Sequence, residues 1–195
     1  MLYYEDNMKH GREDIFGGPN FFQKNEEIYN KFLNESVHHS LGFFILAPSG
    51  TGKTHFIVRQ EEKNWIDGDT LWISTKAHPD TDWWTKGPEI IKEVDARSDV
   101  ITQEAKRLGL WVLGASNNWL RPDAVVLPPW DTNVAYIKHR QENNYDGGLK
   151  TDQLAQLEAH RLEIEDMAKQ KNVPIFESVE KATSYIEELY KQSNI

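Results

Sequence analysis

Eight consecutive residues, Ala47-Pro48-Ser49-Gly50-Thr51-Gly52-Lys53-Thr54, have the types and order that handle phosphate. Gly50 and Gly52 let the backbone turn its N–H groups inward around phosphate oxygens. The helical pattern that follows, through His55, Phe56, Ile57 and Val58, would present its positive end to the same anion. Lys53 is long enough to reach the β and γ phosphates of a nucleotide, the Thr54 hydroxyl can hold Mg²⁺, and His55 follows on the first helical turn. Ala47 stands where the first glycine of this pattern usually stands, and a small residue still fits there.

A second constellation follows at Asn64-Trp65-Ile66-Asp67-Gly68-Asp69-Thr70. Placed at the end of a strand, Asp67 and Asp69 could face a γ phosphate together. One would order Mg²⁺ and the other would accept the proton of an attacking hydroxyl; Thr54 and Asp67 are the metal candidates. Taken alone, Asp-Gly-Asp is equally a plain turn.

These residues need a scaffold that converges strand ends on one crevice, and the hydropathy pattern supplies it. Leu41–Ala47 is a continuous apolar run ending in the glycine-rich turn, as a buried parallel strand should be. The apolar runs Asn64–Ile66 and Leu71–Ile73 flank Asp67-Gly68-Asp69. Leu110–Leu113, Ala124–Leu127 and Val173–Phe176 read as further strands. Helical spacing marks Pro88–Leu108, Asp131–Arg140, Thr151–Lys171 and a last helix from about Val179 to Lys191. Alternating strands and helices predict an α/β fold, a doubly wound parallel sheet of about five strands. Residues 1–40 read as an irregular arm followed by one amphipathic helix, and 41–195 as the main domain. Asn143–Gly148 is a polar loop ending in two glycines, which reads as mobile.

Composition narrows the function classes. The chain has 195 residues, 22 basic and 31 acidic, for a net charge of −9. That balance argues against broad binding to nucleic acid, which depends on Lys and Arg neutralising phosphates, but leaves a nucleic acid open as a substrate in a locally basic cleft. The longest apolar stretch, Leu41–Ala47, falls far short of the ~20 residues of a spanning helix, so no membrane partner is expected. No secretory signal pattern opens the sequence, and a cytoplasmic location is the default expectation. There is no cysteine, so thiolate metal sites and cysteine nucleophiles are excluded. The histidines form no metal-ligand pattern, and no Gly-x-Ser-x-Gly elbow occurs.

A phosphate-binding loop followed by an Asp-x-Asp turn resembles the small P-loop kinases: the gluconate, shikimate and adenylylsulfate kinases and the nucleoside monophosphate kinases of the same fold. The likeness spans residues 41–190 in element order and is close only at the loop. Gly109–Ser116 resembles the third strand of that family, Ala124–Pro129 the fourth, and Pro174–Ile186 the last strand and closing helix. Residues 138–152 then resemble the family's lid, and the resemblance assigns Arg140 and Arg161, one on each side, to neutralising the transferring phosphoryl group. The glycine-rich, arginine-dense lid opening of adenylate kinases is missing here.

The same resemblance places the acceptor pocket between the second and third strands, residues 74–107. That segment holds Trp83 and Trp84, suited to stacking on a base or sugar, and Arg97, suited to a phosphate or carboxylate. Arg121, before the fourth strand, is a further candidate. The implied activity is transfer of the γ-phosphoryl group of ATP, with Mg²⁺, to a hydroxyl or phosphate acceptor, a nucleoside or nucleotide first. Alternatives are a phage-type kinase of a hydroxymethylated pyrimidine in DNA, a kinase of a small polyol or acid, a non-kinase P-loop ATPase, and a catalytically silent binding module. Motor and switch ATPases place an acid after a run of four apolar residues. Leu110–Leu113 is followed instead by Gly114 and Ala115, and Ala124–Leu127 by proline.

Overall fold

Strands covered on both faces read as continuous apolar runs, and that is how the sheet of this protein is written. The strands are Phe43–Leu46 (β1), Trp65–Asp67 (β2), Trp111–Gly114 (β3), Ala124–Val126 (β4) and the shorter Ile175–Phe176 (β5). The computed structural model describes residues 25–79, 82–144 and 148–193. The arm expected over residues 1–20 lies outside them. All five strands are parallel, in the order β2-β3-β1-β4-β5. The architecture is therefore α/β, a five-stranded all-parallel sheet flanked by helices.

Seven helices connect and flank the strands among the described residues: Glu26–Glu35 (α1), Lys53–Val58 (α2), Gly68–Ser74 (α3), Pro88–Arg107 (α4), Trp130–Glu142 (α5), Leu154–Gln170 (α6) and Val179–Ser193 (α7). Pro88 sits at the first position of α4, where a missing N–H costs nothing. Leu71–Ile73, an apolar run in the sequence, is the middle of α3, and Leu71 and Trp72 are fully buried there. No helix among the described residues is long and apolar enough to cross a membrane.

The two sheet faces build two cores. Phe44, Leu46, Ile66, Val112 and Val125 face one way, against Leu71 and Trp72 of α3, Ile101 and Ala105 of α4, Ile164 and Ala168 of α6, and Phe32 of α1. Phe43, Ile45, Trp111, Leu113 and Val126 face the other way, against Phe56 and Ile57 of α2 and Val179, Ala182 and Ile186 of α7. The chain thus leaves β1 on one face and β3 on the other. In open α/β sheets this reversal opens a crevice beyond the carboxyl ends of the diverging strands.

The β3–β4 connection, residues 115–123, contains no helix, so its backbone needs partners from elsewhere. Asp99 of α4 supplies them. Its buried carboxylate accepts the N–H groups of Asn118, Trp119 and Leu120 and the side-chain amide of Asn117. Burial pushes this carboxyl up to about 6 even though all four donors pull it down. At the end of the connection, Asp123 accepts the Phe44 N–H at 2.7 Å and pairs with Lys106 at 2.6 Å, which fixes where β4 begins beside β1.

Asp99→Ala should destabilise the fold by about 3 kcal/mol or more, because it leaves buried donors without an acceptor. Asp99→Asn keeps one acceptor oxygen and should lose less. Urea denaturation of both variants measures this, and equal, small losses would show that Asp99 does not organise the connection.

Candidate functional site

The glycine-rich turn leaves β1 at the mouth of the crevice. Its two glycines take left-handed backbone conformations, Gly50 at φ 74° and Gly52 at φ 93°, which side-chain-bearing residues rarely adopt. Every carbonyl on its rising side is held by a side chain. Lys53 Nζ donates to Ala47 O at 2.7 Å and Pro48 O at 3.0 Å, Thr51 Oγ1 to Pro48 O at 3.0 Å, and Asn133 Nδ2 to Ser49 O at 3.0 Å and Gly50 O at 2.8 Å. The N–H groups of Ser49, Gly50 and Gly52 have no hydrogen-bond partner among the described residues. The carbonyl side of the turn is occupied and these donors are open, the arrangement of an anion-binding nest. Thr54 and His55 lie exposed on the first turn of α2, with His55 Nε2 3.4 Å from Arg59 Nη1.

Lys53 is buried, and burial lowers its pKa while Asp69 and Asp67 pull it back up. The two aspartates therefore lie within electrostatic reach of the ammonium. Asp67 ends β2 and caps α3, its carboxylate accepting the Asp69 N–H at 2.8 Å. The turn reading and the site reading of Asp-Gly-Asp thus describe one arrangement. Burial, then the neighbouring Asp69, raises the pKa of Asp67. Asp69 is exposed.

Helix α5 lies directly against the turn. A Cβ at Gly50 would meet Asn133 Nδ2 and Ile137 Cγ1, each at 2.6 Å, so only glycine permits the approach. Arg140 Nη2 donates to Leu149 O at 2.6 Å and to Ser49 Oγ at 3.3 Å, and Ser49 Oγ also accepts the Leu149 N–H at 3.2 Å. Of the expected lid, residues 145–147 lie outside the described residues, while Leu149 is tied to the turn. Arg161 of α6 donates to Asn133 Oδ1 at 2.7 Å and Pro128 O at 2.6 Å and lies over the Trp130 ring. Arg140 thus touches the turn directly, and Arg161 reaches it through Asn133. His160, beside Arg161, is held down to about 4 by burial first and by the charge of Lys53 second.

The acceptor candidates separate. Trp83 opens a short 3₁₀ turn and meets the His78 ring edge-on, with centroids 4.9 Å apart. Trp84 packs on a small apolar cluster of Ile137, Leu149 and Leu157, and its carbonyl accepts from Gln156 of α6. Arg97 pairs with Glu93 one turn earlier on α4. Arg121 donates to Lys171 O and Asn172 O at the end of α6, where it caps a helix and does not line the crevice.

Sequence reasoning missed Asn133, Asp95, Ser116 and His160. Asn133 is fully buried, yet in sequence it is one polar residue among several on α5. No protein-family model matches this chain, and no curated protein matches it.

Asn133→Ala should cost about 2 kcal/mol, because it strips two turn carbonyls and one guanidinium N–H of their partner. In a double-mutant cycle with Arg161→Ala, read by chemical denaturation, the coupling should be about 1 kcal/mol. Additive losses would mean that Arg161 does not act on the turn through Asn133.

Proposed function

We propose that this protein is an ATP-dependent phosphotransferase of the P-loop type, moving the γ-phosphoryl group to a hydroxyl acceptor. The observation that carries the reading is the turn itself: open N–H groups at Ser49, Gly50 and Gly52, with the buried Lys53 ammonium resting on the carbonyls of Ala47 and Pro48. A polyphosphate bound to those donors would take Lys53 from the two carbonyls onto its β and γ oxygens.

The residues suit Mg²⁺ arriving with the nucleotide. That ion takes one or two protein ligands and completes its shell with phosphate oxygens and water. Thr54 and the exposed Asp69 would hold it, and its charge would offset that developing on the phosphoryl oxygens.

In the transfer, the acceptor hydroxyl oxygen forms the new bond to γ-phosphorus, the bond to the bridging oxygen of the β phosphate breaks, and ADP leaves. The hydroxyl proton passes to a carboxylate. Asp67 is the better acceptor, because burial raises its basicity above that of an ordinary aspartate. Arg140 sits where it can neutralise the moving group, and Arg161 positions the turn by way of Asn133.

Lys53→Ala should lower kcat/KM at least about 10³-fold, and Asp67→Asn should lower kcat about 10²-fold with ATP affinity nearly unchanged. Asp69→Asn should have the smaller effect at saturating Mg²⁺. Calorimetry of ATP binding and transfer of labelled phosphate check these values. Wild-type turnover in the Lys53 variant would end the phosphotransferase reading.

A further inference from the structure

Beyond the ends of β2 and β3, beside the crevice that the strand order opens, polar side chains gather near the glycine-rich turn. Gly68, next to Asp67, packs against the backbone of Gly114, and Ser116 follows two residues later, so the strand ends deliver Asp67 and Ser116 to neighbouring places. Ser116 Oγ donates to Asp95 Oδ1 of α4 at 2.6 Å and lies 3.1 Å from His78 Nε2. Trp83 meets the His78 ring edge-on.

Helix α6 runs alongside this polar group. Gln156, His160 and Glu163 recur at spacings of four and three and so share one face. Gln156 reaches the Trp84 carbonyl, His160 feels the charge of Lys53, and the charge of Glu163 acts on Asp95. One helical face thus runs from the tryptophan pair past Lys53 to Asp95.

The protons in this polar group can be assigned. Ser98 Oγ gives its proton to Val94 O at 2.9 Å, and with Asp95 ionised Ser116 gives its own to Asp95. Both hydroxyls therefore accept from His78 Nε2, which must carry the ring proton. The imidazole is held neutral by burial, so Nδ1 is a bare lone pair. No described residue donates to Nδ1. Asp95 Oδ2 likewise accepts from no described residue. The polar group offers hydrogen-bond acceptors and carboxylates beside an aromatic ring, and the arginines expected to grip an anion are paired on α4 or cap α6.

We infer that the phosphoryl acceptor is a neutral, hydroxyl-bearing ring compound of the nucleoside class, read through its O–H and N–H donors by His78 and Asp95, and that Asp95 and Glu163 repel its phosphorylated form. The inference rests on the phosphotransferase reading and narrows it. A 5′-phosphate would bring its charge to two carboxylates, whereas a sugar hydroxyl or a base N–H meets acceptors to which no described residue donates. Trp83 contributes a face for the ring.

The test uses the full chain at pH 8, because burial pushes the Asp95 carboxyl up to about 7 and it must be ionised. Binding of thymidine, adenosine, free ribose and the two 5′-monophosphates is followed by tryptophan fluorescence, with and without ATP·Mg²⁺, and phosphate transfer to each is measured in parallel. Nucleosides should bind and react at least about 10-fold better than their monophosphates. Asp95→Asn should raise nucleoside KM about 10-fold and leave ATP KM unchanged, and Glu163→Gln should narrow the discrimination against monophosphates. Ribose binding as well as the nucleosides would assign the polar group to the sugar, without the base. Monophosphates preferred, or no compound bound while ATP binds normally, overturns the inference and leaves the phosphotransferase reading standing. Failure of ATP to bind strikes that reading instead, and nucleoside binding without ATP still decides the chemistry of the polar group.

Discussion

The turn after β1 can keep its donors open only because its carbonyls are satisfied from the other side. A backbone that reverses direction this tightly carries as many acceptors as donors, and a buried carbonyl without a partner costs about as much as a lost hydrogen bond. Lys53, Thr51 and Asn133 together take the carbonyls from Ala47 to Gly50. Of these, Asn133 is the long-range partner, and it fixes α5 against Gly50. With α5 placed, Arg140 reaches Ser49, Leu149 is drawn to the same hydroxyl, and Arg161 is anchored from α6. One acceptor-satisfaction requirement therefore positions the residues on both sides of the expected lid.

A comparable constraint sets the other wall of the crevice. The Trp72 ring is fully buried between α3 and the sheet and donates Nε1–H to Thr102 Oγ1 at 3.0 Å. It fits because Gly68 and Gly114 both lack a side chain. A Cβ at Gly68 would stand 2.7 Å from the ring, and one at Gly114 would collide with it outright. Those glycines bring the ends of β2 and β3 together, which sets Asp67 on one side of the junction and Ser116 on the other. Two small residues that carry no chemistry thus decide the spacing between the groups that do.

The sheet was legible because parallel strands write themselves as uninterrupted apolar runs, and each expected strand is found within a residue or two. The glycine-rich turn was legible because its requirements are local: left-handed φ at two positions and a lysine one residue on. Leu71–Ile73 was less clear, since three apolar residues fit a buried helix as well as a strand, and Asp67 as a cap with Trp72 in its slot makes the segment helical. The polar group beside the turn was not legible. His78 lies in the segment, residues 74–107, read as the acceptor pocket, but nothing in the sequence spacing brings it together with Asp95, Ser116 and Glu163, which come from two helices and a strand end. Arg121 illustrates the converse: its type suggested a ligand grip, but the carbonyls it satisfies come from the far end of α6 and are known only from the fold.

Charge adds a last consequence for how a nucleotide would enter. The chain carries −9 overall, yet on the phosphotransferase reading the turn is the place for a polyanion. Lys53 and Arg140 stand there against Asp67 and Asp69, two positive groups against two negative, all within mutual electrostatic reach of the lysine. Burial lowers the pKa of the Lys53 ammonium, and the two aspartates pull it back up. They also cancel the attraction that Lys53 would offer to free ATP. On the phosphotransferase reading, the complex with Mg²⁺ is then the form that the site accepts. The divalent ion removes half the nucleotide's charge and gives the exposed Asp69 a partner, while Lys53 remains charged for the phosphoryl oxygens.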